Sequence, residues 1–177
     1  MAFHFATMAM RMNDQDGFAM TVRTEVRPGD LGGIIALHGT VYAGGLGFDP
    51  GMEALVARPL AEFFLARSDR ERVWIAERAG RLAGCIAIVR ADEETAQLRW
   101  FVVHPDARGA GLGRTLLRDA IAFSRVAGYR RIVLWTVDSL HSAIRLYLAE
   151  GFRLAEQKPG PVWGVDVAEQ RYDLDLV

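Results

Sequence analysis

The sequence predicts a mixed α/β fold built as one domain, and three observations carry that prediction. Its 177 residues fall within the roughly 100 to 200 expected of a single domain. A hydrophobic share of 51%, mean hydropathy of +0.09 and a charged share of 24% supply a compact interior and exclude wholesale disorder. Short apolar or alternating runs are interleaved with stretches whose apolar residues recur every three to four positions, the two signatures of strand and helix. Read in order, the elements are β, α, α, β, β, β, α, β, α, β, β.

Thr21 to Val26 alternates and meets Arg27-Pro28-Gly29, a first strand closed by a turn. Asp30 is placed to cap the following helix, whose Leu31, Ile34, Ile35 and His38 keep helical spacing up to the glycine cluster Gly44, Gly45, Gly47. Met52, Leu55, Val56, Leu60, Phe63 and Phe64 mark a second helix across Pro59, whose missing N–H predicts a kink or a split. Val73 to Ala76 and Ala83 to Val89 read as strands joined through the hairpin Arg78-Ala79-Gly80-Arg81. Leu98 to Val103 is the next strand, stopped by Pro105. Leu112, Leu116, Leu117, Ala120, Ile121 and Phe123 form one face of a helix ending at Gly128, with Arg114, Arg118 and Arg125 on the other face. Arg131 to Thr136 is a short buried strand, and Leu140, Ala143, Ile144, Tyr147 and Leu148 fit an amphipathic helix that Gly151 stops. Phe152 to Gln157 and Gln170 to Leu176 are the last two strands, with Pro159-Gly160-Pro161 read as the loop between them.

Charge and cysteine content narrow the function. Basic and acidic residues number 21 and 22, a net charge of -1, and no Lys or Arg run forms the footprint of a nucleic-acid binder. Cys85 is the only cysteine, so no internal disulfide or Cys-His metal set is expected, and a reducing cytoplasm is the expected compartment. No stretch approaches the roughly 20 apolar residues of a membrane span. His4, Arg11, Asn13, Asp14 and Asp16 interrupt the start of the chain, so no secretory signal is expected. Residues 1–20 read as an N-terminal extension to a domain of residues 21–177. Its Phe3, Phe5 and Met8 would need a groove on this chain or a second copy to order them, and monomer and homodimer both stay open.

One segment carries chemistry: Val102-Val103-His104-Pro105-Asp106-Ala107-Arg108-Gly109-Ala110-Gly111-Leu112-Gly113-Arg114, from the end of a strand into a helix. Glycines at 109, 111 and 113 leave backbone N–H groups unshielded, and with the helix dipole these bind anions, phosphate above all. Arg108 adds a full positive charge beside them. A dinucleotide-binding loop from Gly109 would need glycine where Arg114 stands, and a nucleoside-triphosphate loop would need Gly-Lys-Ser/Thr, so neither fits. The glycines alone leave an ordinary structural turn as an equal reading.

Arg108-x-x-Gly111-x-Gly113 after an apolar strand, with Val103-x-Pro105 in front, resembles the coenzyme A loop of the GNAT superfamily of N-acetyltransferases. Ala143, Leu146, Tyr147, Gly151 and Phe152 match the second strand-and-helix segment of that superfamily. Within it, Leu134-Trp135-Thr136, Arg145-Leu146-Tyr147, His38-Gly39 and Tyr42 look like the acetyltransferase domain fused behind MarR-type winged-helix regulators. The resemblance spans roughly Thr21 to Val177 and is strongest from Leu98 to Phe152.

The resemblance implies a mostly antiparallel central sheet with helices on both faces, acetyl-CoA as cosubstrate and direct acetyl transfer to a primary amine. Backbone groups of Phe101, Val102 and Val103 would pair with the pantetheine arm. Arg108, Gly109, Ala110, Gly111, Leu112, Gly113 and Arg114 would cradle the pyrophosphate. Tyr147 would protonate or hydrogen-bond the coenzyme sulfur. Two departures from the pattern stand out. Leu140 occupies the position seven before the tyrosine where the superfamily often has Asn, leaving Ser139 or His141 to make that contact, and Gly44-Gly45 replace an acidic residue of the fused domains.

The general base is open. His104, just after the cofactor strand, is one candidate, Asp138 and Asp92-Glu93-Glu94 are acidic alternatives, a water relay would also serve, and a plain loop histidine is the blander reading of His104. His38 and Tyr42 either line the acceptor pocket or simply pack. The rival function is a non-catalytic acyl-CoA-binding sensor or interaction module, which needs the loop but neither Tyr147 nor an acceptor pocket. The acceptor, an amine-bearing small molecule or a peptide, is not legible.

Overall fold

The computed structural model describes residues 12–13 and 19–176, so Phe3, Phe5 and Met8 lie outside the described residues. Eight strands and four helices follow one another as β1 (Met12–Asn13), β2 (Ala19–Arg23), α1 (Asp30–Leu46), α2 (Gly51–Ala66), β3 (Arg72–Arg78), β4 (Arg81–Arg90), β5 (Thr95–Val103), α3 (Leu112–Val126), β6 (Arg131–Val137), α4 (His141–Ala149), β7 (Arg153–Val162) and β8 (Val165–Asp175). A 3-10 turn, Pro105–Ala107, sits between β5 and α3. The strands form one sheet in the order β1-β2-β3-β4-β5-β6-β8-β7. Every described junction is antiparallel except β5 with β6, as the mixed, mostly antiparallel expectation requires. β1 and the first residues of β2 fall inside the expected extension, because Met20 pairs with Arg78 and is buried.

Helices cover both faces. On one, Leu112, Leu116, Leu117 and Tyr147 of α3 and α4 pack on Ile86, Ile88, Leu98 and Leu134 of the sheet. On the other, Ile34, Val56, Leu60 and Phe63 of α1 and α2 pack on Ile75, Cys85, Ala87 and Trp100. Each such fully buried aliphatic side chain contributes roughly 1.5 to 3 kcal/mol. Among the described residues, no helix is long and apolar enough to cross a membrane.

Two local expectations are corrected, and a third, at Pro59, is narrowed. Gly29, at φ 97°, occupies the cap position of α1. Asp30 is the first helical residue, and its carboxylate reaches back to the Arg23 guanidinium and the Arg27 N–H instead of capping. α2 runs through Pro59 without a split. Met52, Val56, Leu60 and Phe63 are buried along its inner face, and at roughly 1.5 to 3 kcal/mol each they outweigh the ~3 kcal/mol an internal proline costs. Pro159-Gly160-Pro161 is not a loop: it lies within β7, opposite Asp166 to Ala168 of β8. β7 is the edge of the sheet, where a residue with no N–H leaves no ladder bond unmade. The chain turns later, at Trp163 and Gly164, both with positive φ (48° and 82°) as a tight hairpin requires.

The irregularity that shapes the molecule lies in β5. Ala96 and Leu98 point into the α3/α4 core, yet Trp100 and Val102, of the same parity, point into the α1/α2 core. Trp100 has φ 49° and the β4–β5 register shifts between Cys85 and Ala87, so a bulge flips the strand between Leu98 and Trp100.

Candidate active site

β5 pairs with β6 only from Thr95 to Leu98 against Arg131 to Leu134. Beyond the bulge the two parallel strands part, and the second half of β5 keeps a ladder only on its β4 side. The His104 N–H donates to Ala83 O at 2.8 Å, which aims that residue at β4. Alternation then turns the backbone groups of Phe101 and Val103 toward the open edge. Both carbonyls on that edge are occupied, Phe101 O by the Tyr42 hydroxyl and Val103 O by Arg108 Nε, each at 3.2 Å. The N–H groups of the same two residues face the gap.

The glycine loop follows at the end of this open edge. Gly109 and Gly111 have φ 86° and 83°, a conformation side chains resist. A Cβ on Gly113 would lie 3.2 Å from Leu146 and 3.5 Å from Phe101, so glycine there lets β5, α3 and α4 converge. α3 starts at Leu112 with no side-chain cap, so its first-turn N–H groups are available to an anion. Around them runs a cleft of about 930 Å³. Phe101, Val102, Val103, His104, Arg108, Gly109, Gly111, Leu112, Gly113, Arg114 and Ser139 all line it, whereas Ala110 does not. Sequence reasoning missed its opposite wall, the end of α1 with Thr40, Gly44 and Gly45. The glycine pair was the available signal, since two residues without side chains leave open space beside the helix. Ser139 Oγ is buried and has no hydrogen-bond partner, an orphaned polar atom on the wall of a cleft suited to a polar ligand.

A second cleft, of about 300 Å³, adjoins the first, and Tyr42, Phe101, Leu140 and Ala143 belong to both. His38 and Tyr147 stand on its walls. Tyr147 is 4% exposed and its ring packs against Phe101, Phe152 and Tyr172 with centroids 5.8 to 6.2 Å apart. Burial pushes its phenol far above the ordinary tyrosine range, so the hydroxyl stays protonated and acts as a donor. Burial likewise raises Tyr42 to about 12. His38 Nδ1–H donates to Ile34 O at 2.8 Å, which leaves Nε2 as the acceptor nitrogen. Burial pushes this imidazole down to about 4, outweighing the backbone bond, so it is neutral at pH 7.

None of the bases named from sequence lines the smaller cleft. His104 borders the larger one, where its Nδ1 accepts the Asp106 N–H at 3.2 Å and caps the 3-10 turn. Asp92 accepts the N–H groups of Glu94 and Thr95 in the β4–β5 connection. Sequence reasoning also passed over Arg99 and Glu169, which do line the smaller cleft. The signal for Arg99 was a lone charge inside the apolar run Leu98-Arg99-Trp100-Phe101.

The sequence profile of the Acetyltransferase (GNAT) family matches residues 28–152. An amino-acid acetyltransferase of Shewanella oneidensis is 36% identical over 104 residues, 54% of this chain and 22% of the relative. N-acetyltransferase family 8 member 3 of Rattus norvegicus is 32% identical over 85 residues, 45% of this chain and 37% of the relative. The chain spans less than half the length of these curated relatives. Among solved structures, an N-acetyltransferase from Staphylococcus aureus Mu50 superposes with TM-score 0.73 at 21% identity, covering 89% of this chain and 99% of that one. A Salmonella typhimurium protein solved with acetyl-CoA gives TM-score 0.69 at 23% identity, covering 89% and 94%. These two likenesses establish the shared fold. Because the family match takes in the parted strands, the glycine loop and both helices that wall the clefts, the chain belongs to the acetyltransferase (GNAT) family.

Proposed function

We propose that this chain moves the acetyl group of acetyl-CoA to a primary amine by direct transfer. The observation that carries the reading is the meeting of the two clefts: Tyr42, Phe101, Leu140 and Ala143 are walls of both, and Tyr147 stands one helical turn after Ala143. Bound acetyl-CoA supplies the activated acyl group. The N–H groups of Phe101 and Val103 receive the pantetheine arm along the open edge, as a missing β6 partner would otherwise have done. Gly109 to Arg114 and Arg108 hold the pyrophosphate, and Ser139 supplies the polar contact that Leu140 cannot. Tyr147 donates a hydrogen bond to the departing sulfur without ionising, since its raised pKa opposes full proton loss. His38 and Tyr42 bound the acceptor pocket. His104 takes part in proton removal only through intervening water, because its place is on the wall of the larger cleft. Likeness to the domain of MarR-fused regulators rests on Leu134-Trp135-Thr136 and His38-Gly39, and we place the protein in the cytoplasm on its unpaired, buried Cys85.

A screen of thiol release from acetyl-CoA across amine classes tests the proposal, with amine-dependent release as the expected result. Tight acetyl-CoA binding with no release for any amine would instead favour a non-catalytic sensor, a module with no use for a second cleft. Within this reading, Ser139→Ala is expected to leave the melting temperature no lower, because the hydroxyl it removes has no partner. Calorimetry should then find acetyl-CoA affinity down about 5- to 10-fold, the worth of one hydrogen bond. Unchanged affinity would take Ser139 out of the cofactor site.

A further inference from the structure

We propose that the acceptor is a small amine bearing a carboxylate on an apolar or aromatic body, as in a hydrophobic amino acid, and that Arg99 is the residue that binds the carboxylate. The proposal rests on the acetyl-transfer reading and names its acceptor class.

The smaller cleft is an aromatic enclosure, with Phe48, Trp100, Trp135 and Trp163 on its walls. At about 300 Å³ it has room for a small molecule, at the lower end of ligand pockets. Arg99 enters this enclosure from β5, one residue beyond the last pair that β5 makes with β6. It is half-buried, and its guanidinium stands over the Trp100 ring at 5.2 Å from the centroid. It has no carboxylate partner among the described residues. Glu62 acts on it through space only, and Glu62 is bound to Arg58 at 3.0 Å.

Among the described residues Arg72 shares this state, over the Trp74 and Phe123 rings with no carboxylate partner, but it lines neither cleft. Three further shielded arginines are treated differently. Arg23 is held between Asp30 and Glu77, Arg171 between Glu156 and Asp173, and Arg70 reaches Glu93. A partly desolvated guanidinium left without a counter-ion, on the wall of a substrate-sized cleft, is a carboxylate receptor awaiting its ligand. Glu169, from β8 on the same cleft, sets an acidic wall for the amine end. A peptide N-terminus, which has no carboxylate beside its amine, would leave Arg99 unanswered.

The test compares L-phenylalanine and L-tryptophan with phenethylamine and tryptamine, their decarboxylated forms, by thiol release and by calorimetric binding to the full chain. Wild type is expected to favour each amino acid over its decarboxylated amine. In Arg99→Gln that preference, as a ratio of kcat/KM or of affinity, falls about 10- to 150-fold, the range for a hydrogen-bonded charge. The loss should appear in KM more than in kcat, and Arg99→Lys should restore part of it. Acetyl-CoA affinity equal to wild type shows that the variant is folded. Amino acids binding no better than their decarboxylated amines, or an equal ratio in Arg99→Gln, would overturn the proposal. Should no amine release thiol while phenylalanine binding still depends on Arg99, the transfer reading fails and the assignment of Arg99 stands.

Discussion

Tyr147→Phe is expected to lower the single-turnover rate of acetyl transfer by roughly 100- to 1,000-fold, as removal of one preorganised donor does elsewhere. The substitution keeps the ring, and with it the packing against Phe101, Phe152 and Tyr172. Melting temperature and acetyl-CoA affinity should therefore stay close to wild type. The prediction is sharp because Tyr147 has two readings. It belongs to the α3/α4 core by burial and to the smaller cleft by position. If packing were its whole contribution, the phenylalanine variant would turn over at nearly the wild-type rate, and transfer would depend on positioning alone. The phenol's raised pKa adds a second check: no fall in rate attributable to its ionisation should appear up to pH 10.

Arg23→Ala is expected to cost about 3 to 5 kcal/mol of stability, the usual penalty for breaking a buried ion pair from one side. Arg23 is 7% exposed and its Nη2 lies 2.7 Å from both Asp30 Oδ1 and Glu77 Oε1. Truncation would strand two shielded carboxylates, so the loss exceeds that of a surface pair. Against the 5 to 15 kcal/mol typical of a domain, roughly a fifth or more of the total is at stake. Denaturant midpoints at unchanged m-value measure it, and adding Asp30→Asn with Glu77→Gln should recover part. A loss below about 1 kcal/mol would mean the network behaves like surface charge.

The pH dependence has a definite sign. Burial alone would raise the Asp30 carboxyl, but hydrogen bonds from Arg23 and the Arg27 N–H override it and hold the group below its ordinary value. A depressed folded pKa stabilises above the unfolded pKa of about 3.9 and loses that contribution as pH falls through the folded value. Acid titration below pH 4 should therefore destabilise wild type more steeply than Arg23→Ala.

Much of this protein is determined by local chemistry that can be read along the chain. The Arg78-Ala79-Gly80-Arg81 hairpin, the helix face from Leu112 to Phe123 and the stop at Gly151 each follow from a few neighbouring residues, and each stands where expected. The glycine loop belongs with them, because positive φ at Gly109 and Gly111 and an uncapped helix start are properties of a short segment. The tertiary structure alone decided what depends on distant partners. Pro159 and Pro161 became strand residues because β7 falls at the edge of the sheet, a fact of strand order. Asp30 left its capping role because β2 delivers Arg23 to it. Trp100 and Val102 went to the α1/α2 core, and β5 stopped pairing with β6 beside Arg99, because a bulge at Trp100 flips the strand. Periodicity cannot signal such a flip, since the residues on either side of it keep the same alternation while the face they serve changes.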